Sequence, residues 1–258
     1  HRQLDFAGAA EATWERAEGT ETGEVVEAYV DGVNHAMERE SKPLEYRLLS
    51  FEPREWTPTA CLLISKQISW GLTGRFTTLR RALARDRLGS EATEELYPRI
   101  MDHDVPIIRG GEGSSGPTTE VDAATPEPGL VSWLGAFESD RGIGSNSWVV
   151  SGEQTASGDP IVANDPHLNL TVPPVWYEQH VVGPEPLDVR GVCFPGVPFV
   201  IIGQNHAGAW GFTNTGADVI DFYTYETTGD GRYRYGDETR EFDSRTETVA
   251  VADGEDVE

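Results

Sequence analysis

Apolar positions recur at helical spacing in the first part of the chain and at strand spacing from Ser147 onward. Over residues 22–40, Val25, Val26, Tyr29, Val30, Val33 and Met37 form the stripe of an amphipathic helix. Residues 59–72 read as a second helix, with Thr59 as its cap and Cys61, Leu62, Leu63, Ile64, Ile68 and Trp70 apolar enough to be buried. Residues 76–88, rich in Arg and Leu, make a third. A short fourth over 91–97 is stopped by Pro98, which lacks the N–H a continuing helix needs.

Between Gly110 and Pro128 the composition changes to Gly, Ser, Thr, Pro, Glu and Ala, which reads as a flexible linker or, more simply, a surface loop. Residues 130–137 are apolar again, so the end of that segment is expected to pack on the body of the protein. Strand patterns then occupy 147–151 and 160–164, joined by a hairpin-like connection, and 175–182, 187–193, 199–203, 209–213, 221–225, 233–235 and 246–251. Helices first and mostly antiparallel strands afterwards predict an α+β class. The chain divides accordingly into a helical segment (1–109), a spacer or linker (110–144) and a strand-rich segment (145–258). It does not begin with Met and closes on an acidic run, so it reads as an excerpt of a longer protein.

Charge narrows the partners. The 258 residues carry 20 Lys and Arg against 44 Asp and Glu, a net charge of −24. Such a surface repels nucleic acid and anionic membranes, so neither is an expected partner. Lys42 and Lys66 are the only lysines. Lysine depletion goes beyond what acidity requires and points to a salt-rich environment, where ions screen the self-repulsion. Cys61 and Cys193 stand far apart in apolar contexts, without metal spacing, and are expected as buried free thiols. No apolar run is long enough to span a bilayer.

The chemistry centres on Gly144-Ser145-Asn146-Ser147-Trp148, where the two halves meet. A serine before a strand is ordinarily a turn residue. Cleavage of the Gly144–Ser145 bond would instead give Ser145 a free α-amine beside its own hydroxyl. That amine titrates near pH ~7.7–8.0 and can act as a base in neutral water. A hydroxyl activated by an N-terminal amine is a recognised nucleophile. Gly144, lacking a side chain, would let a strained turn form at the scissile bond.

From Ser145 onward the chain resembles the penicillin acylase family of N-terminal nucleophile hydrolases. The resemblance rests on ordered motifs: Ser145-Asn146-Ser147-Trp148, Ala163-Asn164-Asp165-Pro166-His167-Leu168, Pro195-Gly196-Val197-Pro198, Gly203-Gln204-Asn205, and Trp210-Gly211-Phe212-Thr213-Asn214 running on to Asp218 and Asp221. Upstream it rests on helical character and Gly74-Arg75-Phe76. It implies part of a four-layer αββα sandwich, excision of the spacer, and Ser145 as nucleophile. His167 would help hold Ser145 and its amine; its plainer reading is a turn histidine at a strand end. The backbone N–H of Asn214 would donate to the oxyanion, a contribution worth roughly 2.7–4 kcal/mol for one such donor. A second donor, an asparagine side chain, is expected beyond Glu258.

The resemblance also implies substrate contacts at Arg75, Phe76, Leu168 and Ile202. Aliphatic residues at the last two suit an apolar acyl group, and core packing explains them equally. Trp148, Trp176, Tyr177 and Trp210 read as core. Asp218, Ile220 and Asp221 match a calcium turn of two carboxylates and one carbonyl; a solvated acidic turn is the rival. The family's upstream acidic calcium ligand is replaced here by Thr77-Thr78. No organic cofactor is implied. The expected partners are a small-molecule amide substrate and the remainder of the protein's own β chain. The leading function is therefore an amidohydrolase that cleaves an acyl group from an amine after cutting itself before Ser145. The alternative is an inactive or unprocessed acidic calcium-binding module of the same fold, which Thr78 supports and the intact serine motif opposes.

Overall fold

A computed structural model describes residues 2–74, 76–98, 128–136, 138, 144–184, 186–214, 219–249, 251, 254–255 and 257. Helices come first and strands later, as the apolar periodicities predict. The linker-like residues 110–127 lie outside the described residues, as does Arg75. Two compact units form, one from residues 1–73 with 139–218, the other from 74–138 with 219–258.

The first unit opens with α1 (Phe6–Ala17), α2 (Glu21–Arg39), the single turn α3 (Leu44–Leu48) and α4 (Pro58–Thr73). The Thr20 hydroxyl accepts from the Gly23 N–H at 3.2 Å and starts α2. Glu21 and Glu24 in its first turn and Arg39 in its last complement the helix dipole. Val26 and Val30, one turn apart, bury their side chains with Cys61 of α4, and Trp14, Tyr29 and Trp56 pack around them. Asn34 fixes the approach to α4: its Oδ1 accepts from the Trp56 N–H at 2.8 Å, and its Nδ2 donates to the Trp56 carbonyl at 2.9 Å. The Trp56 indole N–H reaches Cys61 Sγ at 3.2 Å. Thr57, rather than the expected Thr59, receives the Ala60 N–H at 3.2 Å, because the helix starts one residue earlier. Helix α1 is not expected from the sequence; its inward face runs Phe6, Ala10 and Trp14, with Ala10 fully buried and Phe6 set against Trp70.

The same unit holds two small antiparallel sheets. Strands β1 (Gly144–Val150) and β2 (Ile161–His167) form a hairpin. Strands β3 (Tyr177–Val182), β4 (Asp188–Cys193), β5 (Ile202–Asn205) and β6 (Ala209–Trp210) form a sequential meander. The Pro195-Gly196-Val197-Pro198 turn docks on the helices. Gly196 has φ +92°, and a Cβ there would stand 2.5 Å from Ile64 Cδ1 and 2.7 Å from the Trp56 ring, so both the backbone angle and the space require glycine.

In the second unit, α5 (Thr77–Leu96) breaks at Gly89 (φ 82°, ψ 169°), which accounts for the two helices expected on either side. Helix α6 (Pro128–Gly135) packs on α5, as the apolar run 130–137 predicts. Strands β7 (Arg232–Tyr235) and β8 (Glu238–Glu241) close a hairpin. Tyr225 and Phe242 flank Tyr233, at 4.8 Å between ring centroids in each case.

Several strand expectations fail. Residues 221–225 carry no strand, 209–213 shorten to Ala209–Trp210, 199–203 moves to Ile202–Asn205, and 246–251 retains only a Val249–Val257 bridge. In each case apolar alternation is present but the described neighbours supply no full ladder. Trp148 and Tyr177 are exposed, at 56% and 62%, and not core, because nothing described covers those faces of β1 and β3. Trp176 is half-buried and stacks on Phe194 at 4.6 Å.

Cys61 and Cys193 are free and buried, and burial pushes both thiols up from their ordinary value. Burial, with Cys61 beside it, also raises the Tyr29 phenol. The reactive thiolate is therefore suppressed. Iodoacetamide should modify the folded protein far more slowly than the urea-unfolded chain. These groups hold protons in the folded state that the unfolded chain releases, so their contribution is complete below the ordinary thiol range and falls as pH rises through it. Thermal unfolding followed from about pH 7 to 10 should show Tm falling, with a smaller fall in Cys61→Ala.

Candidate active site

Ser145 is the second residue of β1. The β1–β2 register sets Gly144 against His167, Ser145 against Pro166, Asn146 against Asp165 and Ser147 against Asn164. Paired residues of a ladder share a face and neighbours alternate. Ser145 therefore shares a face with Pro166 and Asn164, and His167 shares the other with Asp165 and Asn146.

The Ser145 hydroxyl lies on the carbonyl of the bond it would break: Oγ donates to Gly144 O at 2.7 Å. Gly144 adopts extended strand backbone, not the strained turn expected of it. Its φ is outside the left-handed region, and among the described residues a Cβ would meet only His167 Nδ1, at 3.9 Å. The His167 ring thus stands beside the Gly144 backbone. Its Nε2 is 2.8 Å from Asp165 Oδ2, an ion pair whenever the imidazole is protonated. Asn146 Nδ2 lies 3.5 Å from the same nitrogen, at the outer edge of hydrogen bonding.

Asn164 is legible in the sequence only as part of a motif, yet it holds the site together. Its Oδ1 accepts from the Phe212 N–H at 3.0 Å. Its Nδ2 donates to the carbonyls of Asn146 and of Phe212, each at 3.0 Å. One side chain thus joins β1 to the stretch after β6. The signal available in the sequence was a strand-poor asparagine inside an otherwise apolar strand pattern. Gly211 lets the two segments meet, because a Cβ there would stand 2.8 Å from the Asn164 side chain.

Asn214 lies two residues beyond Phe212. It is half-buried, and its Nδ2 donates to the Leu72 carbonyl in the last turn of α4 at 2.8 Å. The side chain is thereby used structurally, tying the stretch after β6 to the end of α4. Leu168 comes directly after β2, and Ile202 opens β5 against Val192; both are half-buried.

The remaining expected residues belong to the second unit or lie outside the described residues. Phe76 is 3% exposed and meets Phe222 edge-on at 5.2 Å. Thr77 and Thr78 are the first two residues of α5. Ile220 is half-buried and Asp221 exposed, while Asp218 is outside the described residues. Among the described residues no three His, Cys, Asp or Glu side chains gather as a metal cluster. Nor, among them, is any helix long and apolar enough to cross a membrane.

Residues 1–258 match the family described as penicillin amidase. The chain belongs to the penicillin amidase family. Penicillin acylase 2 proenzyme of Pseudomonas sp. (strain SE83) is 32% identical over 247 residues, covering 93% of this chain and 32% of that protein. Acyl-homoserine lactone acylase QuiP of Pseudomonas aeruginosa is 27% identical over 222 residues, covering 81% of this chain and 25% of that protein. Aculeacin-A acylase of Actinoplanes utahensis is 29% identical over 117 residues, covering 42% of this chain and 15% of that protein. This chain thus spans at most about a third of the length of these relatives.

Asn164→Ala should lower unfolding stability by about 1–3 kcal/mol, because it strands the Phe212 N–H and frees two carbonyls. Gly211→Ala should cost about 1–3 kcal/mol by overpacking at the same point. Urea unfolding of each variant measures this, and an unmoved midpoint in Asn164→Ala would mean that Asn164 does not clamp the two segments.

Proposed function

We propose that this chain carries the processing and nucleophile segment of an amidohydrolase that removes an acyl group from an amine. The observation that carries the reading is the Ser145 hydroxyl resting on the Gly144 carbonyl, with His167 across the ladder from that peptide. Penicillin, aculeacin and acyl-homoserine lactone acylases among its relatives support the substrate class.

The first reaction is intramolecular. Ser145 Oγ attacks the Gly144 carbonyl carbon, the C–N bond of that peptide breaks, and the departing nitrogen takes up a proton to become the Ser145 α-amine. Water hydrolyses the resulting ester and leaves Gly144 with a carboxylate. The second reaction repeats the chemistry on substrate. The Ser145 amine takes the hydroxyl proton through a water, Oγ attacks the amide carbonyl, and the protonated amine product departs. Water then releases the acid from the acyl-enzyme. The Asn214 N–H stabilises the oxyanion in each addition. His167 lies on the face opposite Ser145, so it serves the backbone at Gly144 and the amine freed there, not the hydroxyl. The acyl-group contacts that the resemblance assigns are Leu168 and Ile202 in the first unit and Arg75 and Phe76 in the second.

Calcium at Asp218, Ile220 and Asp221 belongs to the same proposal, as a structural ion. Exposed Asp221 is open to a hard cation, and two carboxylates with a carbonyl are oxygen donors of the right kind.

The full-length protein, purified in molar salt, should yield a new chain beginning at Ser145, and Ser145→Ala should stay whole. Intact mass and N-terminal sequencing distinguish them. A folded wild type that remains uncut would leave the acidic binding module as the function. Calcium should raise the Tm of the full-length protein, a chelator should reverse this, and Asp221→Asn should abolish it; identical melting in all three conditions would end the calcium assignment.

A further inference from the structure

Glu138 lies just beyond α6, in the segment expected to be the spacer. Its side chain is only 10% exposed, although it is a carboxylate. Two donors hold it through three hydrogen bonds. The Phe76 N–H donates to Oε1 at 3.0 Å, Arg80 Nη1 donates to the same oxygen at 2.6 Å, and that Nη1 also reaches Oε2. Arg80 Nη2 donates to Thr77 Oγ1 at 3.3 Å, which orients the guanidinium towards the carboxylate.

The donors are fixed before any ligand arrives. Phe76 immediately precedes α5, so its N–H faces out of the positive end of that helix. Its ring is locked against Phe222. The long-range field of a chain with net charge −24 repels anions. A carboxylate buried here is therefore held by local donors, in the charge-assisted geometry that Arg and helix termini offer to anions.

We propose that the Phe76 N–H and the Arg80 guanidinium form a carboxylate-binding site, filled by Glu138 while the spacer is in place and by a free carboxylate once the spacer has left. The second half rests on the maturation proposed above. It deepens that reading by naming a ligand class, carboxylate-bearing acyl compounds, at the segment where Phe76 is expected to meet substrate.

The test uses the full-length Ser145→Ala protein, which stays uncut whatever the maturation chemistry, with and without Glu138→Ala. Benzoate and acetate are titrated by calorimetry at fixed chloride, with benzamide and acetamide as uncharged controls. Glu138→Ala should bind the carboxylates at least about tenfold more tightly than its parent. Adding Arg80→Gln should abolish the gain, and the amides should not bind. Equal affinity with and without Glu138, binding that survives Arg80→Gln, or no binding by a folded Glu138→Ala protein would each overturn the site. If Glu138→Ala fails to fold, Glu138→Gln keeps the shape without the charge and must meet the same criteria. Wild type that has lost its spacer should bind as Glu138→Ala does. Wild type that stays whole counts against maturation alone, since the uncut pair already decides the site.

Discussion

The Asn164 side chain is the contact on which the candidate site depends. A two-stranded hairpin is marginal by itself in water. Strands β1 and β2 have only each other as ladder partners among the described residues, and Trp148, Val149 and Ile161 lie exposed on them. Sheet width therefore does not hold Ser145 in place. Asn164 does so by giving its amide to three backbone groups of two segments. Phe212, clamped at both its N–H and its carbonyl, carries the chain to Asn214, which is tied in turn to the end of α4. The segments are fixed backbone to backbone, so the side chains between them are free to vary.

The helices are readable in the sequence because their apolar stripes are buried on a local partner. Val26, Val30 and Cys61 lie in the core, and Gly89 breaks α5 where the pattern changes phase. Helix α1 is short, and its inward face at Phe6, Ala10 and Trp14 has only two large apolar side chains to signal its period. Strand expectations fail where alternation is real but a ladder partner is not local, as at 221–225. A strand is completed by its neighbour, and a single sequence does not name that neighbour.

The site is legible in a different way. Ser145, His167 and Asn214 stand out through ordered motifs, and the register brings His167 opposite Gly144. Motif order carries no information about the pleat. The pleat sets His167 on the face away from Ser145, beside the Gly144 backbone rather than the hydroxyl. Asn164 escapes because its importance lies in bonds to Phe212, 48 positions away, and such spacing leaves no local trace. Glu138 escapes for the same reason: Arg80 and Phe76 stand 58 and 62 positions upstream.

Glu138 and Asn164 show one constraint acting in two ways. A polar group that folding withdraws from water, even in part, must be satisfied, or folding loses more than the contact returns. Asn164 meets the requirement permanently, with neutral bonds that no later step needs to break. Glu138 meets it with a charge, and in the maturation proposed above that charge would be exchanged for an anion or water at the half-buried Arg80 and the Phe76 N–H. A charged contact suits the replaceable position, since an anion from solution offers the same bonds. A neutral amide suits the fixed one, since nothing in solution competes for its paired donor and acceptor geometry.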